Sequence, residues 1–296
     1  MKIAITGASG YIGSFLREEL QQEKDRDLLL LSSRQEAPPF VKVSYDDPES
    51  LQSVLAGTDI LIHLAAIKKV ASFDDASENI SMTRHIIDAA CTAGVKQVIY
   101  ASSISVYSGA SLLPWSEDIS ERPETLYGMS KLTSEHIIRI RCSHSATSYT
   151  NLRLAHIIGD HMPGSYMMPV FFKKAASGED ITILGRSTAR REFVHVSDVC
   201  RVISRCIDNP RVYNQTINVG CGSGITNEEA ALSISRFCPA THVNMADKED
   251  NSIVSSYMDV ARLKALNLPL PCDSVEAIRR ICMKIESTRQ AKTGVC

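Results

Sequence analysis

A phenol and an amine stand four residues apart in the stretch Tyr127-Gly128-Met129-Ser130-Lys131. The segment Leu126 to Cys142 around them contains no proline, has Gly128 as its single glycine, and carries apolar residues at Leu132, Ile137, Ile138 and Ile140, so it reads as a helix. Positions i and i+4 share one helical face, and both groups can therefore point into one pocket. A free tyrosine, with a pKa near ~10, is a poor base at neutral pH. A nearby ammonium favours the phenolate and lowers that pKa. Reaching ~7 takes about 3 units, or roughly 4 kcal/mol. A lysine on a solvated surface does not supply that, and the same spacing occurs in ordinary surface pairs. The rest of the chain has to supply a closed cleft and a further positive charge.

Upstream, Lys2 to Thr6 reads as a short buried strand running into Gly7-Ala8-Ser9-Gly10-Tyr11-Ile12-Gly13 and then a helix from Ser14 to Gln22. Glycines at this spacing between strand and helix permit a tight turn, close approach of a pyrophosphate to the backbone, and tight helix–sheet packing, while the helix N-terminus offers N–H donors. This predicts a bound dinucleotide, whose cationic nicotinamide would supply the missing charge beside Lys131. A second strand, Asp27 to Leu31, is followed by Ser32-Ser33-Arg34. An acid near this point bonds the ribose 2′-OH of NAD, whereas an arginine accommodates the 2′-phosphate of NADP. The acid is absent and Arg34 is present, which favours NADP over NAD, unless Arg34 is only solvated. A third strand, Val41 to Tyr45, leads to a helix capped by Asp47 with Pro48 at its first position. Ser44 and Asp46 lie near the expected adenine site, where turn and capping roles suit them better.

Asp59 to Ala66 is a nearly continuous apolar run, as in a strand buried on both faces, and its small Ala65-Ala66 end leaves room for a cofactor. His63 within the run is expected to be a core residue. Lys68 and Lys69 follow, able to reach phosphate or simply to stay solvated, and a helix is expected from about Asp75 to Ala93. The strand Val95 to Ser103 ends in hydroxyls, and Ser102, Ser103 and Ser105 are all chemically able to bond the substrate oxygen that Tyr127 serves. A sixth strand is expected over Thr150 to Ile158, closed by Gly159. Alternating strands and helices predict an α/β protein, a Rossmann doubly wound parallel sheet. Beyond Gly159 the pattern changes. Residues 159–192 carry Arg186, Arg190 and Arg191. Glu192 to Val196 follow, then a helix with Ser197 or Asp198 near its cap and a stop at Asn209-Pro210. Next come a strand from Thr216 to Gly220, a helix opened by the capping box Thr226-x-x-Glu229, and another from Asp273 to about Glu286. The last ten residues are expected to fray. The expected organisation is a dinucleotide-binding domain over 1–158, rejoined around 193–220, and a smaller C-terminal α/β substrate lobe within 159–296.

With 44% hydrophobic and 22% charged residues in 296, the chain is globular, and its net charge of −2 gives no case for nucleic acid or an acidic membrane. No run approaches the roughly 18 apolar residues of a membrane span. Nine scattered cysteines without a C-x-x-C pair fit reduced thiols in a cytoplasm, and metal ligands are not expected.

Taken in order, Thr6 to Gly13, His63-Leu64-Ala65-Ala66, Ala101 to Tyr107, Tyr127 to Lys131, Leu152-Arg153, Arg191 to Val199 and Asn218-Val219-Gly220 resemble the extended short-chain dehydrogenase/reductases, the NAD(P)-dependent epimerase/dehydratase family. The resemblance spans nearly the whole chain. It implies Tyr127 as acid/base, Lys131 as its activator and nicotinamide-ribose contact, and Ser103 as the catalytic hydroxyl. It implies cofactor contacts at Gly7, Gly10, Gly13, the Tyr11 and Ile12 amides, Leu64, Ala65, Ala66 and Lys68, in addition to Arg34. It places Arg191 at the substrate diphosphate, His156 among the substrate contacts, and Asn79 behind the site. It further implies a homodimer through the helices at 75–93 and 126–142. Two departures bear on the reaction. Ile104-Ser105 stand where the 4,6-dehydratases carry Asp-Glu, so dehydration is not expected. Ala155-His156 replace an asparagine that contacts substrate phosphate in many members. The expected activity is hydride and proton exchange at a secondary alcohol of a nucleotide sugar, as an epimerase or a reductase. The rivals are an NADPH-dependent reductase of a small non-sugar ketone, suited by the apolar 161–172, and a cofactor-sensing protein without turnover, which would not need Ser103, Tyr127 and Lys131 together.

Overall fold

A computed structural model describes residues 1–23, 25–34, 37–185, 187–246, 250 and 254–293; Arg186 lies outside them. In chain order the elements are β1 (Lys2–Thr6), α1 (Tyr11–Gln21), β2 (Asp27–Ser32), β3 (Phe40–Lys42), α2 (Pro48–Leu55), β4 (Ile60–His63), α3 (Phe73–Thr92), β5 (Gln97–Ser103), α4 (Leu126–Ser143), β6 (Ser148–Leu154), β7 (His156–Ile158), α5 (Met167–Ser177), β8 (Ile181–Ile183), β9 (Phe193–His195), α6 (Val196–Cys206), β10 (Gln215–Val219), α7 (Asn227–Phe237), β11 (Val243–Met245), α8 (Ala261–Ala265) and α9 (Ser274–Thr293).

Seven strands form one parallel sheet in the order β10-β6-β5-β4-β1-β2-β3. Its strands are apolar on both faces because both are covered. Ile3, Ile5, Ile60, Ile62 and Ile99 point to the side packed by α1 and α6, while Ala4, Leu61, Val98 and Tyr100 point to the side packed by α2, α3 and α4. This period-two division sends successive side chains to opposite cores, each fully buried Leu or Ile contributing roughly 1.5–3 kcal/mol. The strand order reverses between β1 and β4, and the crevice beyond their C-terminal ends is where α/β sheets bind ligands. A third core gathers Phe171, Phe172, Ile181, Ile183, Ile234, Ile278 and Ile281 from α5, β8, α7 and α9.

The structure corrects four expected boundaries. The sixth strand is two: β6 stays in the main sheet beside β10, and after Ala155, whose N–H donates to Val219 O at 3.0 Å, the chain leaves as β7 to pair in parallel with β9. The third strand ends at Lys42, because Val43 and Tyr45 turn into the core under α2 and α3 instead of extending the sheet edge. His195 caps α6, its Nδ1 accepting from Ser197 N at 3.2 Å, so the cap precedes both Ser197 and Asp198. The C-terminal segment is helical to Thr293, anchored by Ala277, Ile278, Ile281 and Cys282 in the third core. The capping box at Thr226 and Glu229 is present with both hydrogen bonds.

Candidate functional site

The glycine turn after β1 is shaped by close approach. A Cβ on Gly13 would lie 2.4 Å from Gly7 O, and Gly7 itself has φ +70°. Gly10, the N-cap of α1, contributes no side-chain cap. The first amides of the helix, including those of Tyr11 and Ile12, thus keep the donors and positive dipole end that suit an anion. A cavity of about 920 Å³ opens from this turn along the ends of β2 and β4. Gly7, Gly10, Leu64, Ala65 and Ala66 line its inner end, and Ser33, Arg34, Lys42, Ser44 and Asp46 its outer end. Ser9 and Ser32 hydroxyls meet at 2.9 Å, and Arg34 N donates to Ser32 Oγ at 3.2 Å, so the loop after β2 is tied to the glycine turn. The shape and donors fit the adenosine diphosphate half of a dinucleotide. Lys68 is not in this wall: its Nζ donates to the Tyr166 hydroxyl at 2.7 Å, across to the C-terminal lobe.

Two internal clamps hold the wall. His63 bridges Thr6 Oγ1 (2.7 Å) and Thr83 Oγ1 (3.1 Å), and burial brings its pKa down to about 3, so it is the neutral core residue expected of it. Asn79 accepts from Ile67 N at 2.7 Å and donates to Ile67 O at 3.0 Å, fixing the loop after Ala65-Ala66.

Tyr127 and Lys131 occupy the first turns of α4, which Thr125 caps through Gly128 N at 3.0 Å. A Cβ on Gly128 would lie 2.3 Å from Ser105 O, so the absence of a side chain lets the helix start rest on the strand-end loop. That brings Tyr127 to the edge where Ser103 sits. Ser103 Oγ donates to Ser105 Oγ at 3.1 Å and accepts from Ser105 N at 3.1 Å, whereas Ser102 is turned inward to Glu135. Lys131 is buried, with Nζ donating to Ala101 O at 2.7 Å, 4.6 Å from the Tyr100 ring centroid and 5.8 Å from that of Tyr127. Burial brings its pKa down to about 7, with Glu135 pulling it back up. Burial also pushes Tyr127 up to about 12. Desolvation thus raises the phenol, the opposite sign to the one a neighbouring ammonium gives. Reaching ~7 from there takes about 5 units, roughly 7 kcal/mol. A positive charge held close to the phenol works in that direction.

Behind Lys131, Arg153 of β6 grips Glu135 of α4 through Nε (3.1 and 3.2 Å) and Nη2 (2.7 Å), both residues buried. Arg153 also donates to Tyr107 Oη at 2.6 Å and Glu121 Oε1 at 2.5 Å, and Tyr107 Oη donates to Asn218 Oδ1 at 2.9 Å. Burial works against the arginine's charge, but the Glu135 contacts prevail and raise its pKa. None of this network was singled out from the sequence for its pairing. The i+4 spacing of Lys131 and Glu135 was the available signal.

On the opposite side, Arg191 is half-buried, its Nη2 3.3 Å from Met167 Sδ. His156, at the start of β7, places Nε2 2.9 Å from Ser256 Oγ, and burial, Arg191 and Lys68 together bring its pKa down to about 4. Arg190 is otherwise engaged, bonded to Gly224 O and to both oxygens of Glu229.

A model of the NAD dependent epimerase/dehydratase family matches residues 3–220. Among solved structures, UDP-N-acetylglucosamine 4-epimerase from Bacillus cereus superposes with TM-score 0.89 at 29% identity, covering 97% of this chain and 99% of that one. MoeE5 in complex with UDP-glucose and NAD gives TM-score 0.81 at 27% identity, covering 98% and 99%. The uncharacterized UDP-glucose epimerase YtcB of Bacillus subtilis (strain 168) is 28% identical over 244 residues, 74% of this chain and 77% of that protein.

Proposed function

The chain belongs to the NAD dependent epimerase/dehydratase family, and from that premise we propose that it exchanges hydride and proton at a secondary alcohol of a nucleotide sugar. The observation that supports this reading is the Lys131 ammonium 5.8 Å from the Tyr127 ring centroid at a helix start that Gly128 seats against Ser105 O, two residues past Ser103. A bound nicotinamide dinucleotide supplies hydride acceptance and donation. Tyr127 Oη takes the proton from the substrate hydroxyl and returns it. The Lys131 ammonium stabilises the phenolate between those steps. The Ser103 hydroxyl, now shared with Ser105, turns to donate to the substrate oxygen. Arg191 and Lys68 hold the diphosphate. Ile104-Ser105 offer no carboxylate pair, so elimination of water is not part of the proposal. The printed substrates of the similar epimerases make UDP-sugars the first candidates. A homodimer through α3 and α4 belongs to the same proposal. In an assay with UDP-glucose and UDP-N-acetylglucosamine, Tyr127→Phe should lower turnover by orders of magnitude while NAD still binds; a fully active variant sinks the mechanism.

One observation favours a second reading, a reductase drawing on NADPH. Arg34 and Lys42 line the outer end of the cleft, and Ser32-Ser33 stand where an NAD-binding acid is expected. Within that reading NADP is preferred to NAD, and the reaction consumes hydride instead of returning it.

A further inference from the structure

Ser102 is a strand-end hydroxyl that the proposed chemistry leaves unused. β5 and β6 set it opposite Arg153 in the parallel register, and both side chains reach α4, where they meet Glu135. Ser102, Arg153 and Glu135 are 3%, 2% and 4% exposed. The carboxylate closes the set. Its Oε1 accepts from Ser102 Oγ and, at 3.1 Å, from Arg153 Nε, while Oε2 accepts from Arg153 Nη2 at 2.7 Å. Arg153 is held in turn by Tyr107 Oη and Glu121, so the carboxylate offers Ser102 a fixed acceptor.

Ser102 also forms one half of a peptide whose other half serves the lysine. The Ala101 carbonyl, bonded to Ser102 N, accepts from Lys131 Nζ at 2.7 Å. β4 pairs with β5 only as far as His63↔Tyr100, so this peptide lies past the last rung on that side. Lys131 and Glu135, one turn apart on α4, grip it at two points: the ammonium takes its carbonyl, and the carboxylate takes the hydroxyl of its second residue. Ser103 follows directly in the chain.

We propose that Ser102 is a positioning residue for the reaction: its hydroxyl, anchored on Glu135, sets the Ala101–Ser102 peptide so that Lys131 and Ser103 keep the geometry that Tyr127 needs. This rests on the Tyr127 reading above and gives the buried Arg153–Glu135 pair a task besides stability. A pair that only cemented the core would be indifferent to this hydroxyl, since Glu135 keeps its contacts to Arg153 without it. Positioning acts on the chemical step more than on binding, because a misplacement of about 1 Å can cost about 100-fold in rate.

The test compares Ser102→Val with Ser102→Thr, two side chains of nearly equal shape that differ by a hydroxyl. Turnover of UDP-glucose and of UDP-N-acetylglucosamine is measured with the NAD-loaded full chain and normalised to bound NAD. Expected for Ser102→Val is a kcat lower by about tenfold with KM within about twofold, and for Ser102→Thr a kcat within about threefold of wild type. A second readout needs no substrate. In urea unfolding of the full chain without ligand, Ser102→Val and Lys131→Met together should lose less than the sum of their separate losses, since both act on one peptide. An unchanged kcat in Ser102→Val, equal impairment of the Val and Thr variants, a change confined to KM, or strictly additive unfolding losses overturns the role of Ser102 and leaves the Tyr127 reading intact. A wild-type protein that turns over neither sugar nucleotide overturns that reading and the proposal with it.

Discussion

Arg153→Met isolates the worth of the buried ion pair behind the catalytic lysine. Methionine keeps much of the length and apolar volume but removes three N–H···O contacts to Glu135, leaving that buried carboxylate with the Ser102 hydroxyl. Breaking such a pair from one side costs about 3–5 kcal/mol, because one charge stays uncompensated. Taken as about 4 kcal/mol, the cost favours the protonated carboxyl in the folded variant. A carboxyl whose folded pKa is raised loses stability as pH climbs from the unfolded to the folded value. The deficit from this group should therefore be smaller at about pH 5 than at about pH 8, where it reaches about 4 kcal/mol. Lys131, one turn away, sheds its proton near pH 7 in the wild-type protein and offsets least where the deficit is largest. Urea unfolding followed by circular dichroism at both pH values reads the difference. Arg153→Met with Glu135→Gln removes the stranded charge and should recover most of the alkaline loss. An equal loss at both pH values, or a double variant no better than the single one, refutes the reasoning.

Arg34→Ala should weaken NADPH about tenfold, the loss of one charge-assisted contact, while NADH affinity moves by less than about twofold. Fluorescence titration of both nucleotides decides, and equal effects on the two remove the NADP preference. For the dimer, light scattering should return about twice the 32.5 kDa of one chain, and the single-chain mass would dismiss it.

What was legible in the sequence is what the chain brings together locally. The glycine turn and the Tyr127–Lys131 face lie within single strand–turn–helix units, and the apolar runs of β1, β4 and β5 mark strands covered on both sides. Illegible were contacts made across long separations. Nothing near Ala155 announces that the chain changes partner from β10 to β9, since residues 150–158 keep one strand-like pattern throughout. Arg153 reads as a strand residue until β6 sets it against Glu135. Lys68 is set by the fold beside Tyr166, 98 residues away, a contact that no local pattern announces. Burial at Tyr127 is illegible for a related reason: spacing shows the neighbouring charge but not the desolvation that opposes it.

The parallel pair of β7 and β9 has a mechanical consequence. β7 is spliced to β6 through Ala155, and β9 runs directly into α6, which packs against α1 on the main sheet. The chain leaving β6 and the chain entering α6 are thereby joined by a seam of backbone hydrogen bonds. Parting them means breaking the pairing at Ile157↔Val194 and its neighbours. Compliance is left to the segment between β7 and α5, whose Tyr166 reaches across to Lys68.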